Sequence, residues 1–331
     1  MTTPRTDDET LAHFQEDFDA LRREIAKVVV GQAEAIDAVL TATVAGGHVL
    51  VEGVPGLGKT VLVQTLADVL DLSFNRIQFT PDVMPSDLLG TYVIMETAQG
   101  RRTFEFQKGP IFAHFILADQ INRGMPKTQS ALLQAMEGDA INVAQEVFHL
   151  PQPFFVMATQ NPLDMEGTFP LPEPEIDRFF FKVSVAAPTC EEIETILERT
   201  TQFEPAETRA IVDGKRLLEM RQLARSGYLD AGLRRWAAHV VAATHPGFAQ
   251  APELVRRYVR YGASPRGAQA LVLGAKVRAA AAGRSAVAKE DLVAVAGSAL
   301  RHRILLNFEG QAENIPTDRL IEAILESAGK A

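Results

Sequence analysis

The chain has 331 residues, of which 47% are hydrophobic and 23% are charged, and its formal net charge at neutral pH is −9. This composition is that of an ordinary folded protein rather than of a disordered or membrane-embedded one, and the excess of acid argues against a surface that binds nucleic acid over its whole extent. The length exceeds that of most single domains and predicts two.

The first predicted element is an amphipathic helix near the N-terminus. Its apolar residues recur at alternating steps of three and four, which is the spacing of one helical face. They are Leu11, Phe14, Phe18, Leu21, Ile25 and Val28. The segment Val29-Val30-Gly31-Gln32 interrupts this pattern, and a second helical pattern follows over residues 36–44.

Five short apolar runs predict five β-strands. They cover residues 48–51, 74–79, 115–118, 154–158 and 179–185. Helical segments lie between them, including the one that carries Leu132 and Leu133, and such alternation implies crossover connections between parallel strands. We therefore expect a parallel sheet that is covered by helices on both faces.

Two segments fall outside this alternation and predict β-hairpins. Residues 91–96 and 102–106 flank a turn at residues 98–101, and a second hairpin is predicted over residues 140–150. Arg101 and Arg102 lie at the tip of the first hairpin. Each hairpin is either a solvated decoration or a contact for a partner or substrate, and the sequence leaves both possibilities open.

Near Ala187 and Pro188 the pattern changes from alternating strands and helices to consecutive helices. We place the domain boundary there, with residues 1–187 in the first domain and residues 188–331 in the second. Thr189 and Glu192 have the spacing of a capping box and predict the start of a helix. Further helices, which make the second domain a small all-α bundle, are predicted over residues 217–223, 233–241, 254–261, 267–281 and 289–300.

The motif that says most about function is Gly53-Val54-Pro55-Gly56-Leu57-Gly58-Lys59-Thr60, which matches G-x-x-x-x-G-K-[ST]. It lies between a predicted strand and a predicted helix, the context in which backbone N–H groups at a helix start point at a bound anion. Lys59 can then reach the outer phosphates of a nucleotide, and the Thr60 hydroxyl can ligate Mg²⁺. The alternative is a glycine-rich turn that only joins a strand to a helix.

An acidic residue, Asp119, ends the third predicted strand. In a phosphate-loop protein, an acid at the end of a neighbouring strand can help to hold Mg²⁺ together with Thr60. The next residue is Gln120, at a place where nucleotide hydrolysis by this architecture usually needs a carboxylate as general base. Glutamine has nearly the shape of glutamate but cannot take the proton, so we expect binding to survive and hydrolysis to be slow.

Three further residues are candidates for contacts to the phosphates. Asn161 follows a predicted strand and could position the attacking water, although Asn-Pro is also a common turn dipeptide. Arg178 precedes the fifth strand, and by itself it reads equally well as a surface ion pair. Ser264 and Pro265 place Arg266 in the first turn of a helix, in a direction that suits bidentate contact with a phosphate.

The remaining composition bears on metals and compartment. The seven histidines show no metal-ligand spacing, and the single cysteine, Cys190, excludes an internal disulfide and fits a reducing compartment. No apolar stretch is long enough to cross a bilayer, and residues 1–9 lack the basic-then-apolar layout of a signal peptide. We expect a cytoplasmic protein without membrane insertion.

These motifs resemble those of the MoxR family of AAA+ ATPases, over about residues 25–310. The matching segments are residues 30–32 (VGQ), 46–60 (GGHVLVEGVPGLGKT), 118–123 (ADQINR), 127–133 (KTQSALL), 158–162 (ATQNP) and 177–179 (DRF). The resemblance implies an α/β fold, with a five-stranded parallel-sheet P-loop domain of the αβα type followed by a small all-α lid. It also implies a helix-2 insert at about residues 88–109, a hairpin at about residues 140–150 before the sensor strand, and assembly into a ring, usually a hexamer.

The resemblance further implies ATP and Mg²⁺ as cofactors and a role for each matching residue. The residues so assigned are the phosphate loop Pro55, Gly56, Leu57, Gly58, Lys59 and Thr60, the magnesium ligands Thr60 and Asp119, sensor 1 Asn161, sensor 2 Arg266, the arginine finger Arg178, and the adenine pocket Val30, Gly31 and Gln32. Members of this family act as chaperone-like factors that mature client protein complexes or insert metal cofactors, often with a partner that carries a von Willebrand factor A domain.

Where the family has Asp-Glu, this chain has Asp119-Gln120. Either a glutamate has been replaced so that ATP is held, which we favour because the neighbouring motifs are intact, or the chain is a natural slow ATPase. The leading hypothesis is an ATP-driven remodelling ATPase. One alternative is a nucleic-acid motor of the same superfamily, which Arg101 and Arg102 favour and the acidic net charge opposes. The other is a non-hydrolysing, nucleotide-gated scaffold in which Gln120 is native.

Overall fold

The computed structural model of the chain describes residues 8–53, 56–96, 102–144, 146–160, 167–201 and 207–329. Pro55, Arg101 and Asn161, which carry predictions made above, lie outside these ranges. In chain order the strands are β1 (Val49–Glu52), β2 (Phe74–Gln78), β3 (Gly90–Glu96), β4 (Arg102–Lys108), β5 (Phe115–Asp119), β6 (Ala140–Val143), β7 (Glu146–His149), β8 (Phe155–Gln160), β9 (Phe181–Ser184), β10 (Val259–Tyr261) and β11 (Leu305–Leu306).

Helices account for most of the remaining described residues. In chain order they are α1 (Asp8–Ala26), α2 (Ala33–Ala45), α3 (Lys59–Val69), α4 (Pro85–Leu89), α5 (Pro126–Gly138), α6 (Glu173–Ile176), α7 (Cys190–Thr200), α8 (Gly214–Ser226), α9 (Ala231–Ala242), α10 (Glu253–Tyr258), α11 (Pro265–Ala281), α12 (Lys289–Leu300), α13 (Phe308–Ala312) and α14 (Thr317–Ala328). A short 3₁₀ turn follows β5 at Ile121–Arg123.

The five predicted strands form one parallel sheet in the order β2-β5-β8-β1-β9, which confirms the predicted fold class. Alternate residues of the three central strands, β5, β8 and β1, enter two separate hydrophobic cores, because successive side chains of a strand point to opposite faces. In β1, Val49 and Val51 belong to a core shared with α1, α2 and α3, whereas Leu50 belongs to a second core shared with α5. The centre of the sheet is therefore buried on both faces, as the continuous apolar runs predicted.

The N-terminal helix was also predicted correctly. Its apolar face packs into the first core through the buried residues Leu11, Phe14, Phe18, Leu21 and Ile25. Val28, the last residue of the predicted pattern, is half-buried and follows the end of α1.

Both predicted hairpins are present. Strands β3 and β4 pair in antiparallel register from Gly90–Lys108 to Glu96–Arg102, and β6 pairs with β7. The two hairpins touch each other, because the rings of Phe106 and Phe148 stack with their centroids 4.1 Å apart.

The C-terminal part is helical except for one antiparallel pair, β10 with β11. The helix predicted over residues 254–261 ends at Tyr258 and continues as a strand, because carbonyl groups at its end are bonded from elsewhere in the chain. Asn307 supplies both donors: its backbone N–H bonds the Tyr258 carbonyl at 2.8 Å, and its Nδ2 bonds the Arg257 carbonyl at 2.6 Å. The capping box at Thr189 and Glu192, in contrast, is formed as predicted.

The C-terminal helices pack onto the first core rather than forming a separate one. Side chains of α8, α9, α11 and α12 join the core that contains α1 and α2. The boundary that we place at residues 187 and 188 falls in the segment without helix or strand between β9 and α7. Among the helices of the described ranges, none is long and apolar enough to cross a membrane.

Candidate nucleotide site

The phosphate loop joins β1 to α3. Gly56 and Gly58 have φ angles of +87° and +73°, a region that residues with a Cβ rarely adopt. A Cβ atom at either position would meet no atom within 4 Å, so the loop faces open space. Since α3 begins at Lys59, the first N–H groups of the helix border the same space.

A cavity of about 210 Å³ lies beside this loop, at the carboxyl ends of β1, β5 and β8. The parallel pairing of these strands brings their ends together, with Glu52 of β1 opposite Gln160 of β8. The cavity is lined by Gly56, Gly58, Lys59, Thr60, Arg76, Asp119, Gln120, Thr159 and Gln160. The sheet therefore brings together the phosphate loop, Asp119 and Gln120, which the sequence could connect only through motif spacing.

The Lys59 side chain contacts the start of the phosphate loop. Its ammonium group donates a 2.6 Å hydrogen bond to the Gly53 carbonyl. Partial burial lowers the pKa of Lys59, and the nearby charge of Asp119 opposes this shift. A bound anion would offset the same desolvation cost, so the lysine is placed to bind phosphate.

Both carboxylate oxygens of Asp119 accept hydrogen bonds from side chains that the sequence did not single out. The Thr159 hydroxyl donates to Oδ1 at 2.7 Å, and the Arg76 guanidinium donates to Oδ2, from Nη2 at 2.6 Å and from Nε at 3.2 Å. Thr159 is a polar residue near the end of the apolar strand β8, and Arg76 is a charged residue within β2. A polar or charged residue within a predicted strand is the sequence signal from which a role for Thr159 or Arg76 could have been predicted.

Gln120 stands in a strained backbone conformation. Its φ and ψ are +56° and +50°, which is uncommon for a residue with a side chain. Its N–H donates to the Thr159 hydroxyl at 2.8 Å, so Thr159 bridges Asp119 and Gln120. The side-chain oxygen of Gln120 accepts a long, 3.4 Å hydrogen bond from Arg123.

A second cavity of about 210 Å³ adjoins the first and shares Gly56 and Gly58 with it. Most of its surface is apolar. The other residues that line it are Val28, Val29, Val30, Gln32, Leu57, Val61, Pro188, Ile196 and Thr200. Of the three residues predicted for an adenine pocket, Val30 and Gln32 therefore line a cavity, while the sequence missed the contribution of α7.

Gln32 lines this second cavity, and Gly31 precedes it in a conformation that favours glycine. The Gln32 amide nitrogen donates to the Leu57 carbonyl at 2.9 Å, while its buried oxygen Oε1 has no hydrogen-bond partner among the described residues. Gly31 has a φ of +73°, and a Cβ there would lie 2.1 Å from the Glu192 carboxyl carbon. An apolar cavity of this size, next to the phosphate loop, suits an aromatic base.

Arg178 and Arg266 line neither cavity, and both contact Glu137. Arg178 Nε is 3.1 Å, and Arg266 Nη2 is 3.0 Å, from the same oxygen of Glu137. Glu137 is near the end of α5, next to Met136, whose carbonyl is 3.1 Å from the His48 ring at the start of β1. Both arginines are thus at the edge where the strands begin, roughly 10 Å along the strand direction from the edge that bears the phosphate loop.

A buried ion pair fixes the segment that carries Arg178. Arg303, almost fully buried, donates from Nε to Asp177 at 2.8 Å and bonds the carbonyls of Asp177 and Phe179. The Ser264 hydroxyl donates to the same Asp177 carboxylate at 2.8 Å, and its oxygen caps α11 by accepting from the Arg266 N–H. The C-terminal helices therefore set the position of both arginines, a link that the sequence did not reveal.

The donor set at the first cavity fits Mg²⁺ bound together with phosphates. Such a site needs only one or two protein oxygens, since the substrate phosphates and water supply the rest. Thr60 and Asp119 line the same cavity and offer a hydroxyl and a carboxylate. No group of three or more His, Cys, Asp or Glu residues that could hold a metal by itself occurs in the described ranges.

Comparison with known proteins agrees with this geometry. Residues 48–181 match the ATPase family associated with various cellular activities (AAA), and residues 252–324 match the AAA lid domain. The chain is 38% identical over 304 residues to Chaperone MoxR1 of Mycobacterium tuberculosis, covering 92% of this chain and 80% of the relative. It is 31% identical to Protein MoxR of Methylorubrum extorquens, over 99% of both chains.

A solved structure of a protein from Cytophaga hutchinsonii is similar over nearly the whole fold. It superposes with a TM-score of 0.90 at 40% sequence identity and covers 96% of each chain. Family, sequence and structure agree over both parts of the chain, which therefore belongs to the MoxR family of AAA+ ATPases.

Proposed function

We propose that this chain is a chaperone-like remodelling ATPase that binds ATP at a seam between neighbouring copies of itself in a ring, most simply a hexamer. The observation that carries the proposal is the separation of the two halves of the site. The phosphate loop and Asp119 lie at one edge of the sheet, and Arg178 and Arg266 lie together at the other.

Within one copy, the two adjoining cavities would hold the nucleotide. Lys59 and the N–H groups at the start of α3 would bind the phosphates, and Thr60 and Asp119 would hold Mg²⁺, which neutralises charge on the phosphates. The second cavity would hold the adenine, and a rotation of the Gln32 amide would turn its Oε1, now buried without a partner among the described residues, toward the exocyclic amino group. Asn161, which follows Gln160 in the sequence, is proposed as sensor 1.

The neighbouring copy would supply the two arginines. Arg178 and Arg266 share Glu137 and line neither cavity of their own copy, which supports a role at the nucleotide of another copy. The rim of the nucleotide cavity also has a surface that suits such a contact: on α7, Ile193 and Leu197 are 45% and 54% exposed. A head-to-tail contact of this kind forms a ring when the rotation between neighbouring copies closes.

Gln120 would make this ATPase slow. It lines the phosphate cavity at the position where a general base would act, but its amide cannot accept a proton. Loss of a general base lowers a rate by about 10²–10⁴-fold. ATP would accordingly be bound tightly and hydrolysed slowly, so that complexes with a client protein persist.

The client side of the proposal is supported by the two hairpins and by the relatives. On the first hairpin, Ile94 and Phe104 face each other across β3 and β4 and are 61% and 75% exposed. One relative is named a chaperone. An exposed apolar face on a projecting hairpin suits a protein client, in maturation or metal-cofactor insertion, and a partner with a von Willebrand factor A domain, better than it suits nucleic acid.

The test combines binding with assembly. Binding of ATP with magnesium is measured by calorimetry, and mass is measured by light scattering with and without ATP. Wild type should bind ATP and assemble, Lys59→Ala should lose binding, and Arg178→Ala should retain binding. Arg235→Ala, an exposed arginine on α9, is the matched control and should behave as wild type. A wild-type protein that does not bind ATP, or that remains a monomer when saturated with it, contradicts the proposal.

A further inference from the structure

The ion pair between Arg76 and Asp119 occupies the carboxylate that the proposed nucleotide site needs for its metal. Arg76 places two donors on Oδ2 of Asp119, at 2.6 and 3.2 Å, while Thr159 occupies Oδ1 at 2.7 Å. Both carboxylate oxygens are therefore engaged by the protein itself.

A divalent cation at Asp119 must contend with this guanidinium. A cation that shares Oδ2 would lie within a few ångströms of a positive charge, and like charges at such a distance repel strongly in a partly desolvated cavity. The Thr159 hydroxyl is neutral and buried, so it presents no such conflict. Of the two side chains on Asp119, only the arginine opposes a metal.

The Arg76 side chain is exposed enough to move away from the Asp119 carboxylate. Its side chain is 45% exposed, and it lines the same cavity as Lys59 and Thr60. Within the described part of the chain, Asp119 is the one acid with which it forms a salt bridge. The planar fork of a guanidinium matches phosphate oxygens as well as it matches a carboxylate.

We propose that Arg76 is a positioning residue that controls access of the metal to Asp119. Arg76 competes with the divalent cation for the Asp119 carboxylate. Arg76 releases this carboxylate when the outermost phosphate of a triphosphate offers the guanidinium a second anionic partner. The inference rests on the proposed nucleotide site. It adds that the chain distinguishes ATP from ADP through the affinity of the metal, because ADP lacks the phosphate that draws Arg76 away.

The test measures metal binding without hydrolysis. Mn²⁺, which replaces Mg²⁺ and is followed by electron paramagnetic resonance, is titrated into protein saturated with ADP or with a non-hydrolysable ATP analogue. Wild type should bind Mn²⁺ more weakly with ADP. Arg76→Ala should raise the affinity for Mn²⁺ in the ADP complex by about tenfold, since one repelling charge is removed, and should leave the triphosphate complex much less changed.

Conservative and control variants separate this role from a structural one. Arg76→Lys keeps the charge but not the fork, so it should retain part of the difference between ADP and the triphosphate. Arg76→Met keeps the aliphatic stem and replaces the alanine variant if that variant fails to fold. Arg235→Ala should not change either affinity.

Two results would overturn the inference. One is a fall in Mn²⁺ affinity with both nucleotides on Arg76→Ala, which would make Arg76 a plain phosphate ligand. The other is an equal rise with both, which would remove the link to the outermost phosphate. Failure of wild type to bind either nucleotide would instead defeat the proposed function, and this inference with it.

Discussion

Arg178 and Arg266 contact the same oxygen of Glu137, at 3.1 and 3.0 Å, although one precedes the last strand of the sheet and the other begins a helix of the C-terminal part. The shared carboxylate holds two guanidinium groups side by side on a surface that faces away from the phosphate loop. A pair of arginines held in this way is suited to bind the phosphates of a nucleotide carried by another copy.

This arrangement predicts that two inactive variants restore each other. Lys59→Ala lacks the lysine of the phosphate loop, and Arg178→Ala lacks the arginine supplied to the neighbouring copy. In a Gln120→Glu background, each variant alone should therefore lose ATPase activity by about 10³-fold or more. In an equal mixture of the two variants, roughly a quarter of the contacts between copies in randomly mixed rings join an intact phosphate loop to an intact Arg178. Recovery of a similar fraction of activity is expected, and a mixture as inactive as its components would contradict action between copies.

Gln120→Glu should raise the ATPase rate of the assembled protein by about 10²–10⁴-fold, because a general base is restored at the phosphate cavity. Turnover is measured as phosphate release under saturating ATP. Gln160→Glu is the matched control, since Gln160 is also a glutamine that lines this cavity. A negligible, unchanged rate in Gln120→Glu rings would favour the non-hydrolysing scaffold.

Gln32→Leu should weaken ATP binding more than GTP binding. Gln32 lines the cavity proposed for the base, and a rotation of its amide would offer Oε1 as an acceptor to the amino group of adenine, whereas guanine presents a carbonyl oxygen at the corresponding position. Loss of one such hydrogen bond is worth about 0.5–1.5 kcal/mol, or up to about tenfold in affinity. Competition with a fluorescent ATP analogue measures both nucleotides, and an equal loss for the two would show that Gln32 has no part in base selection.

Thr159→Val should damage the site while leaving its volume nearly unchanged. The hydroxyl donates to Asp119 and accepts from the Gln120 N–H, so the variant leaves a backbone donor and a carboxylate oxygen without this partner. We expect a loss of about 1–3 kcal/mol in the free energy of unfolding, measured by urea denaturation, and weaker Mg²⁺-dependent nucleotide binding. Thr159→Ser retains the hydroxyl and should be close to wild type.

Stability should fall in mild acid because of His48. Burial lowers the pKa of His48 to about 4, against the opposing effect of its hydrogen bond to the Met136 carbonyl. In the unfolded chain the pKa of His48 is about 6.5. Between about pH 6.5 and about pH 4 the unfolded chain therefore binds a proton that the folded chain does not bind, and the free energy of unfolding decreases as the pH falls through that window. The full effect is about 3 kcal/mol, and it is absent above the window.

Urea denaturation across this pH range measures the effect. His48→Gln, which retains a donor and an acceptor, is expected to be less stable than wild type at neutral pH and to lose less stability on acidification. His302 is also buried with a lowered pKa, so some pH dependence should remain in the variant. An identical pH dependence in the two proteins would exclude His48 as its source.

The sequence by itself determined the elements that depend on local pattern. The apolar runs specified the sheet, because its central strands β5, β8 and β1 are buried on both faces and contain few polar residues. The G-x-x-x-x-G-K-[ST] spacing located the phosphate loop, since only glycines adopt the positive φ angles at Gly56 and Gly58 readily. The capping residues Thr189 and Ser264 set the starts of α7 and α11.

Tertiary structure alone decided which side chains meet. Arg76 and Thr159 reach Asp119 because β5 lies between β2 and β8, an order that no local pattern encodes. Glu137 gathers Arg178 and Arg266 from distant parts of the chain, and pairing with β11 turned the end of a predicted helix into β10. These contacts depend on how the elements pack in three dimensions, and charged side chains at long sequence separation leave no periodic signal from which to predict them.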